Sequence, residues 1–336
     1  MEADRMYPKR HCDNDVNVTE LVAGCRLIQP IYSDKRGICV MRGRDVAARI
    51  DVVVKTMTEP ANQAAVERFR REAIILDLLS HPNIVRLRRY CDQAPRAMVL
   101  EHISGVHLAK HVKDNGALTP SALCGIVEDV AAALDAAHSH GVFHRDIRPE
   151  NILVPRRGHA RLIDFGIARI EGEPEITLHG EILRDHAYIS PEQLRGAANV
   201  DARSDVYSLA AVAYFALTGR PPRPRVEIGD TLTRIPMPGA RSELAAVIAR
   251  GMSANPANRY PSAGQMAADL RAAAANDERQ RALQLPSRGL WKTAALPMVL
   301  FILTAAACCP AETRDRHLNV STALIRAIAK PSLFGF

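Results

Sequence analysis

Three polar side chains in the middle of the chain could bind a metal-associated triphosphate and act on a hydroxyl group. Asp146 and Asn151 lie five residues apart, and Asp164 follows thirteen residues after Asn151. Such intervals can place two carboxylates and an amide on adjoining loops of one cleft. Together these groups can bind a divalent cation and orient a hydroxyl towards a phosphate, which is the chemistry of phosphoryl transfer.

The elements that must position these side chains begin with a β-rich part. Short apolar runs between residues 26 and 55 predict β-strands, the last of which ends at Lys55. Apolar residues recur every three or four positions over 64–79, which predicts a helix. Short strands are predicted at Ile84–Val85 and Met98–Leu100.

Helices dominate the sequence after residue 101. They are predicted from Thr119 to Gly141, from a cap at Ser204 or Asp205 to Phe215, at 242–252 and at 263–275. The pattern predicts an α+β fold with a small β-rich N-lobe at 23–101 and a larger helical C-lobe at 102–275. A site is expected in the cleft between the lobes.

Two runs carry a family resemblance. His144-Arg145-Asp146-Ile147-Arg148-Pro149-Glu150-Asn151 and Asp164-Phe165-Gly166 resemble the catalytic and metal-binding loops of bacterial eukaryotic-like (Hanks-type) serine/threonine protein kinases. The resemblance extends over residues 26–275 and implies the two-lobed protein-kinase-like fold. It implies ATP, Mg²⁺ or Mn²⁺ and protein substrates, with Asp146 acting on the substrate hydroxyl and Asn151 and Asp164 binding metal.

The resemblance also assigns the residues that position phosphates. Lys55, at the end of a strand, corresponds to the lysine that contacts the α- and β-phosphates, and Glu72 on the following helix is its expected partner. Arg148 stands where the family has a lysine that neutralises the transferred phosphate. Arginine keeps the charge but changes the geometry.

The adenine pocket is assigned by the same comparison. The backbone of Glu101 and Ile103 is expected to meet the base, Leu153 to lie beneath it, and Val53 to replace the usual alanine above it. Gly37 is the one glycine left in the loop that normally covers the phosphates with three.

Further positions are expected to have structural roles. The resemblance pairs Glu192 with Arg259 and lets Asp205 support the loop that carries Asp146. Leu76, His144 and Phe165 correspond to residues that pack the two lobes together.

Three departures leave an alternative open. The glycine-poor loop, Val53 above the base, and Asp185 in place of a threonine favour a pseudokinase, a nucleotide-binding or scaffold module. In the family the threonine hydroxyl bridges the residues that correspond to Asp146 and Arg148. Asp185 could pair directly with Arg148 instead. The retained Lys55 and Glu72, with the three polar residues of the loops, favour catalysis. A small-molecule phosphotransferase is disfavoured by the apparent peptide-docking segment that ends at Glu192.

Composition restricts the partners. The net charge is +7 over 336 residues, but the arginines are scattered and aromatic residues make up only 4%, so nucleic acid is not an expected partner. The seven cysteines form no C-x-x-C pair, which is typical of reduced cytosolic thiols. A homodimer is an open alternative to a monomer.

The two ends of the chain are interpreted separately. Residues 1–22 read as a polar, flexible leader without the apolar run of a secretory signal. A juxtamembrane linker at 276–289 precedes an uncharged, apolar stretch within 290–309, which is long enough for a single transmembrane helix, and a short tail at 310–336 follows.

Basic residues on the amino-terminal side of that stretch predict that the kinase-like part is cytoplasmic. The alternative is a buried or interfacial helix in a soluble cytoplasmic protein, which Pro297 favours.

Overall fold

The computed structural model describes residues 21–33, 37–57, 63–170, 186–196, 200–222 and 242–284. The chain divides into two compact units, residues 1–276 and 277–336. The site described below, and every element up to residue 276, belong to the first unit.

Six antiparallel strands form the sheet of the N-lobe. They are β1 (Leu21–Val22), β2 (Cys25–Ser33), β3 (Ile38–Asp45), β4 (Ile50–Met57), β5 (Leu87–Cys91) and β6 (Arg96–Glu101). Their order in the sheet is β1-β2-β3-β4-β6-β5, which places β4 between β3 and β6. Lys55 in β4 is therefore opposite Val40 on one side and Met98 on the other.

The pleat of β4 separates two apolar clusters. Val52 and Val54 pack on one face with Leu27 and Met41. Met57, two residues after Lys55, packs in the main core, which includes residues of helix α1 (Gln63–Leu78). Since successive side chains of a strand point to opposite faces, Val53 and Lys55 face the same side as Met57.

Helices build the C-lobe. They are α2 (Leu108–Asn115), α3 (Pro120–Ser139), α4 (Pro191–Leu194), α5 (Ala202–Thr218), α6 (Ser242–Gly251) and α7 (Ala263–Gln284). Helix α5 is buried continuously from Ser204 to Ala213, as its nearly uniform apolar sequence predicts.

The predicted cap of α5 at Ser204 or Asp205 is wrong. The helix begins one turn earlier, where the Asp201 side chain accepts a hydrogen bond from the Arg203 N–H. An aspartate before the first turn is a favoured cap because it satisfies an unpaired backbone donor. Asp205 is consequently available for another role.

Short strands hold the loops of the site. β7 (Gly105–His107), β9 (Ile152–Pro155) and β10 (Arg161–Leu162) form one sheet, and β8 (Val142–Phe143) pairs with β11 (Arg169–Ile170). The stretch from His144 to Asn151, here called the 144–151 loop, lies between β8 and β9. It ends in a 3₁₀ turn at Pro149–Asn151.

Several boundaries differ from the sequence prediction. The strand predicted at Ile84–Val85 is absent, since Ile84 makes only an isolated bridge to Leu162 and Val85 donates to the same residue's carbonyl. β1 begins at Leu21, inside the predicted leader, because it pairs with β2. Helix α7 continues past residue 275 to Gln284, through part of the predicted linker.

Some predictions fall outside the described residues. They concern the leader up to residue 20, Asp185, and the apolar stretch at 290–309. Among the helices that the structure describes, none is both long and apolar enough to cross a bilayer. Among the described residues, Cys25, Cys39, Cys91 and Cys124 are free thiols.

Two glycines provide a matched test of the packing of the C-lobe. A Cβ on Gly251 of α6 would lie 2.6 Å from Cβ of Ala210 in α5, whereas a Cβ on Gly125 of α3 would meet nothing within 4 Å. We expect Gly251→Ala to lower the free energy of unfolding by about 1–3 kcal/mol because the helices must separate. Gly125→Ala should raise it by about 0.5–1 kcal/mol.

Urea unfolding of both variants and of the unaltered chain measures the two effects. An unchanged or increased stability of Gly251→Ala would contradict the close approach of α5 and α6.

Candidate active site

The buried carboxylate of Asp205 holds the start of the 144–151 loop. Its oxygens accept hydrogen bonds from the backbone N–H of His144 at 2.9 Å and of Arg145 at 2.8 Å. The His138 ring, on α3, lies 2.8 Å from the same carboxylate. Burial opposes ionisation, but the hydrogen bond and charge of His138, together with the backbone donors, hold the pKa of Asp205 below its usual value.

Asn151 connects the two ends of this loop. Its Nδ2 donates to the Asp146 carbonyl at 2.8 Å and to Asp146 Oδ2 at 3.1 Å. The Asn151 carbonyl accepts from the backbone N–H of Ile163 at 2.9 Å, and Ile163 immediately precedes Asp164. Asp146, Asn151 and Asp164 therefore meet on adjoining loops, as their spacing predicts.

Lys55 joins the N-lobe to these loops. Its Nζ is 2.7 Å from both carboxylate oxygens of Glu72 on α1 and 3.2 Å from Asp164 Oδ1. The predicted Lys55–Glu72 pair is present, and it is nearly inaccessible to water. Asp164 is 44% exposed in its side chain, so it remains open to a ligand.

Burial and charge act in opposite directions on this ion pair. Burial disfavours the ammonium, but the Asp164 and Glu72 carboxylates outweigh it and raise the pKa of Lys55. Burial, assisted by the charge of Asp164, raises the pKa of Glu72 to about 7 against the attraction of Lys55.

An aromatic contact connects the two loops beneath the site. The rings of His144 and Phe165 meet edge to face with centroids 4.5 Å apart, and both side chains are buried. His144 Nδ1 accepts a hydrogen bond from the Asp146 N–H, and burial lowers the pKa of the imidazole. A neutral ring here serves packing and loop geometry, as the resemblance implies.

Arg148 lies beside Asp146 in sequence and is engaged by a neighbour. Its Nε donates to Glu150 Oε2 at 2.7 Å. The Glu150 carbonyl contacts Nδ1 of His107, the residue before α2. One edge of the Arg148 guanidinium is thus held by an acidic neighbour of the same loop.

The residues predicted to surround the base lie where strands approach the cleft. Val53 is on the Lys55 face of β4 and is paired with Leu100 of β6. Glu101 ends β6, and Ile103 packs against the main core just after it. Leu153 lies in β9, paired with His107 of β7. The contacts of these residues with adenine stay predictions.

Gly37 precedes β3 with a φ of +79°, a conformation that favours glycine. Ser33, the last residue of β2, is paired with Cys39 of β3. The predicted contact of Gly37 with phosphate stays a prediction.

Glu192 and Arg259 form the predicted pair. Arg259 Nη1 and Nη2 donate to the two carboxylate oxygens at 2.6 and 2.8 Å, and the arginine side chain is fully buried. Ser204 Oγ also donates to Glu192. Burial favours the neutral acid, but these donors and the arginine charge lower the pKa of Glu192 to about 2.

The donor set suits a hard divalent cation. Asp164 and Asn151 offer carboxylate and amide oxygens, and Mg²⁺ in nucleotide sites commonly uses one or two protein oxygens together with phosphates and water. Within the described ranges, no group of three or more His, Cys, Asp or Glu side chains could hold a metal ion by itself. The two protein oxygens of Asn151 and Asp164 fit a cation that arrives with a phosphate ligand.

Sequence reasoning missed three contributors to the site. His138 contacts Asp205, Glu150 contacts Arg148, and Gln193 donates from Nε2 to the Arg145 carbonyl at 3.0 Å. His138 and Gln193 are separated from their partners by 67 and 48 residues, so no local pattern connects them. Glu150 lies only two residues after Arg148, so its contact with the guanidinium could have been predicted from their proximity in sequence.

Comparison with known proteins agrees with the geometry. Residues 37–259, more than half of the chain, match the family model described as "Protein kinase domain". The match includes the ion pair, both loops and the Glu192–Arg259 bridge.

Curated relatives are serine/threonine-protein kinases by name. PknB of Mycolicibacterium smegmatis is 36% identical over 250 residues, which is 68% of this chain and 39% of PknB. PknD of Mycobacterium tuberculosis (H37Rv) is 36% identical over 264 residues, 74% of this chain and 40% of PknD. PknH of the same strain is 36% identical over 261 residues, which is 73% of this chain and 41% of PknH. The chain thus spans about two fifths of these relatives.

The low pKa of Glu192 predicts an acid-sensitive contribution to stability. An unfolded glutamate titrates near ~4.3, so the bridge to Arg259 contributes fully above that pH and is lost as the pH falls towards 2. Glu192→Gln should be less stable than the unaltered chain at pH 7, and the difference should shrink steadily below about pH 4.

Urea unfolding between pH 7 and 2.5 measures this difference. Glu67→Gln removes the same charge from an exposed position on α1 and controls for net charge. Parallel stability curves for Glu192→Gln and the unaltered chain would show that the bridge does not depend on ionised Glu192.

Proposed function

Because this chain belongs to the protein kinase domain family, we propose that it is a serine/threonine protein kinase that transfers the γ-phosphate of ATP to a protein hydroxyl. The observation that carries the proposal is the contact of Lys55 with both Glu72 and Asp164, beside a loop in which Asn151 holds Asp146. In this proposal Lys55 is the charged amine, Asp164 the metal-binding carboxylate and Asp146 the base.

Each side chain has a distinct task in this proposal. Asp146 orients the substrate hydroxyl and accepts its proton. Lys55, fixed by Glu72, contacts the α- and β-phosphates, and Arg148 neutralises charge on the transferred group. Glu150 holds the Arg148 guanidinium so that less side-chain freedom is lost when phosphate binds.

Asn151 and Asp164 would hold Mg²⁺, which neutralises phosphate charge and polarises the phosphoryl group. The site also needs the adenine held against Val53 and Leu153, with the backbone at Glu101 and Ile103 as hydrogen-bonding partner. These contacts are part of the proposal and rest on the positions of the residues at the edge of the cleft.

Preference for serine and threonine is supported by two lines. The curated relatives are named as serine/threonine kinases. The Arg148-Pro149-Glu150 sequence is also similar to the Lys-Pro-Glu of that class rather than to tyrosine kinases.

The pseudokinase alternative receives no further support from the described geometry. Lys55, Glu72, Asp146, Asn151 and Asp164 are retained and are in mutual contact or on adjoining loops. A module that only bound nucleotide would not need Asp146 to be held by Asn151.

The proposal predicts separate losses of chemistry and of nucleotide binding. Asp146→Asn should lower kcat for phosphate transfer by about 10²–10⁴-fold, because the base is removed, while Mg·ATP still binds. Lys55→Met should lower kcat and also weaken the binding of Mg·ATP. Transfer of radiolabelled γ-phosphate to the chain itself and to a basic protein measures activity, and an ATP-dependent thermal shift measures binding.

Asp114→Asn, an exposed change on α2, is the matched control and should keep full activity. Unchanged transfer by Asp146→Asn would disprove the assigned base.

We further propose that residues 290–309 anchor the chain in a membrane by a single span, with the kinase domain on the cytoplasmic side. The support is the length and apolarity of this stretch and the basic residues before it.

Expression of the full chain and of a chain ending at residue 289, followed by carbonate extraction, tests the anchor. The full chain should stay in the membrane pellet and the shortened chain in the supernatant. Recovery of both in the supernatant would refute the span and leave the soluble alternative.

A further inference from the structure

The residue before Asp146 has a constrained backbone. Arg145 adopts a φ of +64°, in the left-handed region that non-glycine residues seldom occupy. Its N–H donates to Asp205 Oδ1 at 2.8 Å, and its carbonyl accepts from Gln193 Nε2 at 3.0 Å. A left-handed non-glycine residue is strained, so it persists only where the surroundings hold it.

Gln193 holds this carbonyl from a different part of the fold. It lies on α4, directly after Glu192, whose carboxylate is bound to buried Arg259. At its other end the Gln193 amide accepts a hydrogen bond through Oε1 from Ser190 Oγ at 2.8 Å. Nε2 of Gln193 donates to a carbonyl and Oε1 accepts from a hydroxyl. These two hydrogen bonds together fix the orientation of the Gln193 side-chain amide.

The carbonyl in question belongs to the peptide unit that joins Arg145 to Asp146. The other end of that unit, the Asp146 N–H, donates to His144 Nδ1 at 3.2 Å. Because a peptide unit is planar, rotation of the Arg145 carbonyl would also rotate the Asp146 N–H and change the direction of the Asp146 side chain. Gln193 and His144 therefore fix opposite ends of the same plane.

We propose that Gln193 is a positioning residue that couples the Ser190–Gln193 segment to the orientation of Asp146. This inference rests on the proposed kinase function. When the segment that receives the protein substrate is ordered, Gln193 places the Arg145–Asp146 peptide so that the carboxylate points at the hydroxyl. When the segment is displaced, that support is lost while the nucleotide contacts through Lys55 remain. The segment thereby controls chemistry more than ATP binding.

Two variants of Gln193 separate this role from general packing. Gln193→Met keeps the length of the side chain but cannot donate to the Arg145 carbonyl. Gln193→Glu keeps an acceptor for Ser190 and turns a carboxylate towards that carbonyl. Gln265→Met, an exposed glutamine-to-methionine change on α7, is the matched control.

In the full chain we expect kcat for transfer to a protein substrate to fall by about 10–100-fold in both Gln193 variants, the loss expected when a catalytic group is misplaced by ~1 Å. The KM for ATP should change by less than about twofold. Gln265→Met should behave like the unaltered chain. Unchanged kcat in folded Gln193→Met overturns the inference. An equal loss in kcat and in ATP affinity, with a lower melting temperature, also overturns it by showing a general packing role.

Hydrogen exchange provides a readout that does not need activity. Amides of residues 144–148 should exchange faster in Gln193→Met than in the unaltered chain, whereas those of helix α3 should not change. If the unaltered chain transfers no phosphate, the proposed function fails. The exchange experiment then decides the coupling alone, with faster exchange supporting it and unchanged exchange overturning it.

Discussion

The carboxylate of Asp205 is buried in the first turns of α5, and the 144–151 loop depends on it. An ionised carboxylate in such surroundings is stable only when hydrogen-bond donors surround it, and here two backbone N–H groups and the His138 ring do so. Those two N–H groups belong to the residues immediately before Asp146. Helix α5, which is buried continuously from Ser204 to Ala213, thus holds the start of the loop that carries the proposed base.

The remainder of the site extends from that point through contacts between distant segments. Asn151 closes the loop onto Asp146, and its carbonyl holds the strand that leads to Asp164. Asp164 then reaches Lys55, which also requires Glu72 on α1. A displacement of α1 or of the Asp164 loop would leave Lys55 buried with fewer counter-charges, which is unfavourable. The Lys55 ammonium therefore has its present geometry only when both lobes contribute.

Sequence reasoning predicted the parts of this arrangement that follow from local pattern or from motif wording. The β-branched run identified the strand of Lys55, the three-and-four periodicity identified α1 and its Glu72, and the spacing of Asp146, Asn151 and Asp164 indicated adjoining loops. It misplaced the cap of α5. By residue type, Asp201 and Asp205 are equally plausible caps. Only the fold shows that Asp205 is buried against the 144–151 loop, which leaves Asp201 as the cap. It placed a strand at Ile84–Val85 although these residues contact Leu162 in the other lobe.

It could not find Gln193, whose importance comes from a carbonyl 48 residues away. Hydrogen bonds to backbone atoms depend on the folded path of the chain, and side-chain type at one position carries little information about them. The backbone contacts predicted at Glu101 and Ile103 rest on the family resemblance, because the side chains of these two residues do not indicate them.

Calorimetric titration of the folded full chain with ATP, with and without Mg²⁺, tests the central claim that Lys55, Asn151 and Asp164 form one nucleotide–metal site. The account predicts saturable binding at one site per chain that strengthens when Mg²⁺ is present and loses this dependence in Asp164→Asn. Absence of binding by well-folded protein, or binding equally strong without Mg²⁺, would contradict it.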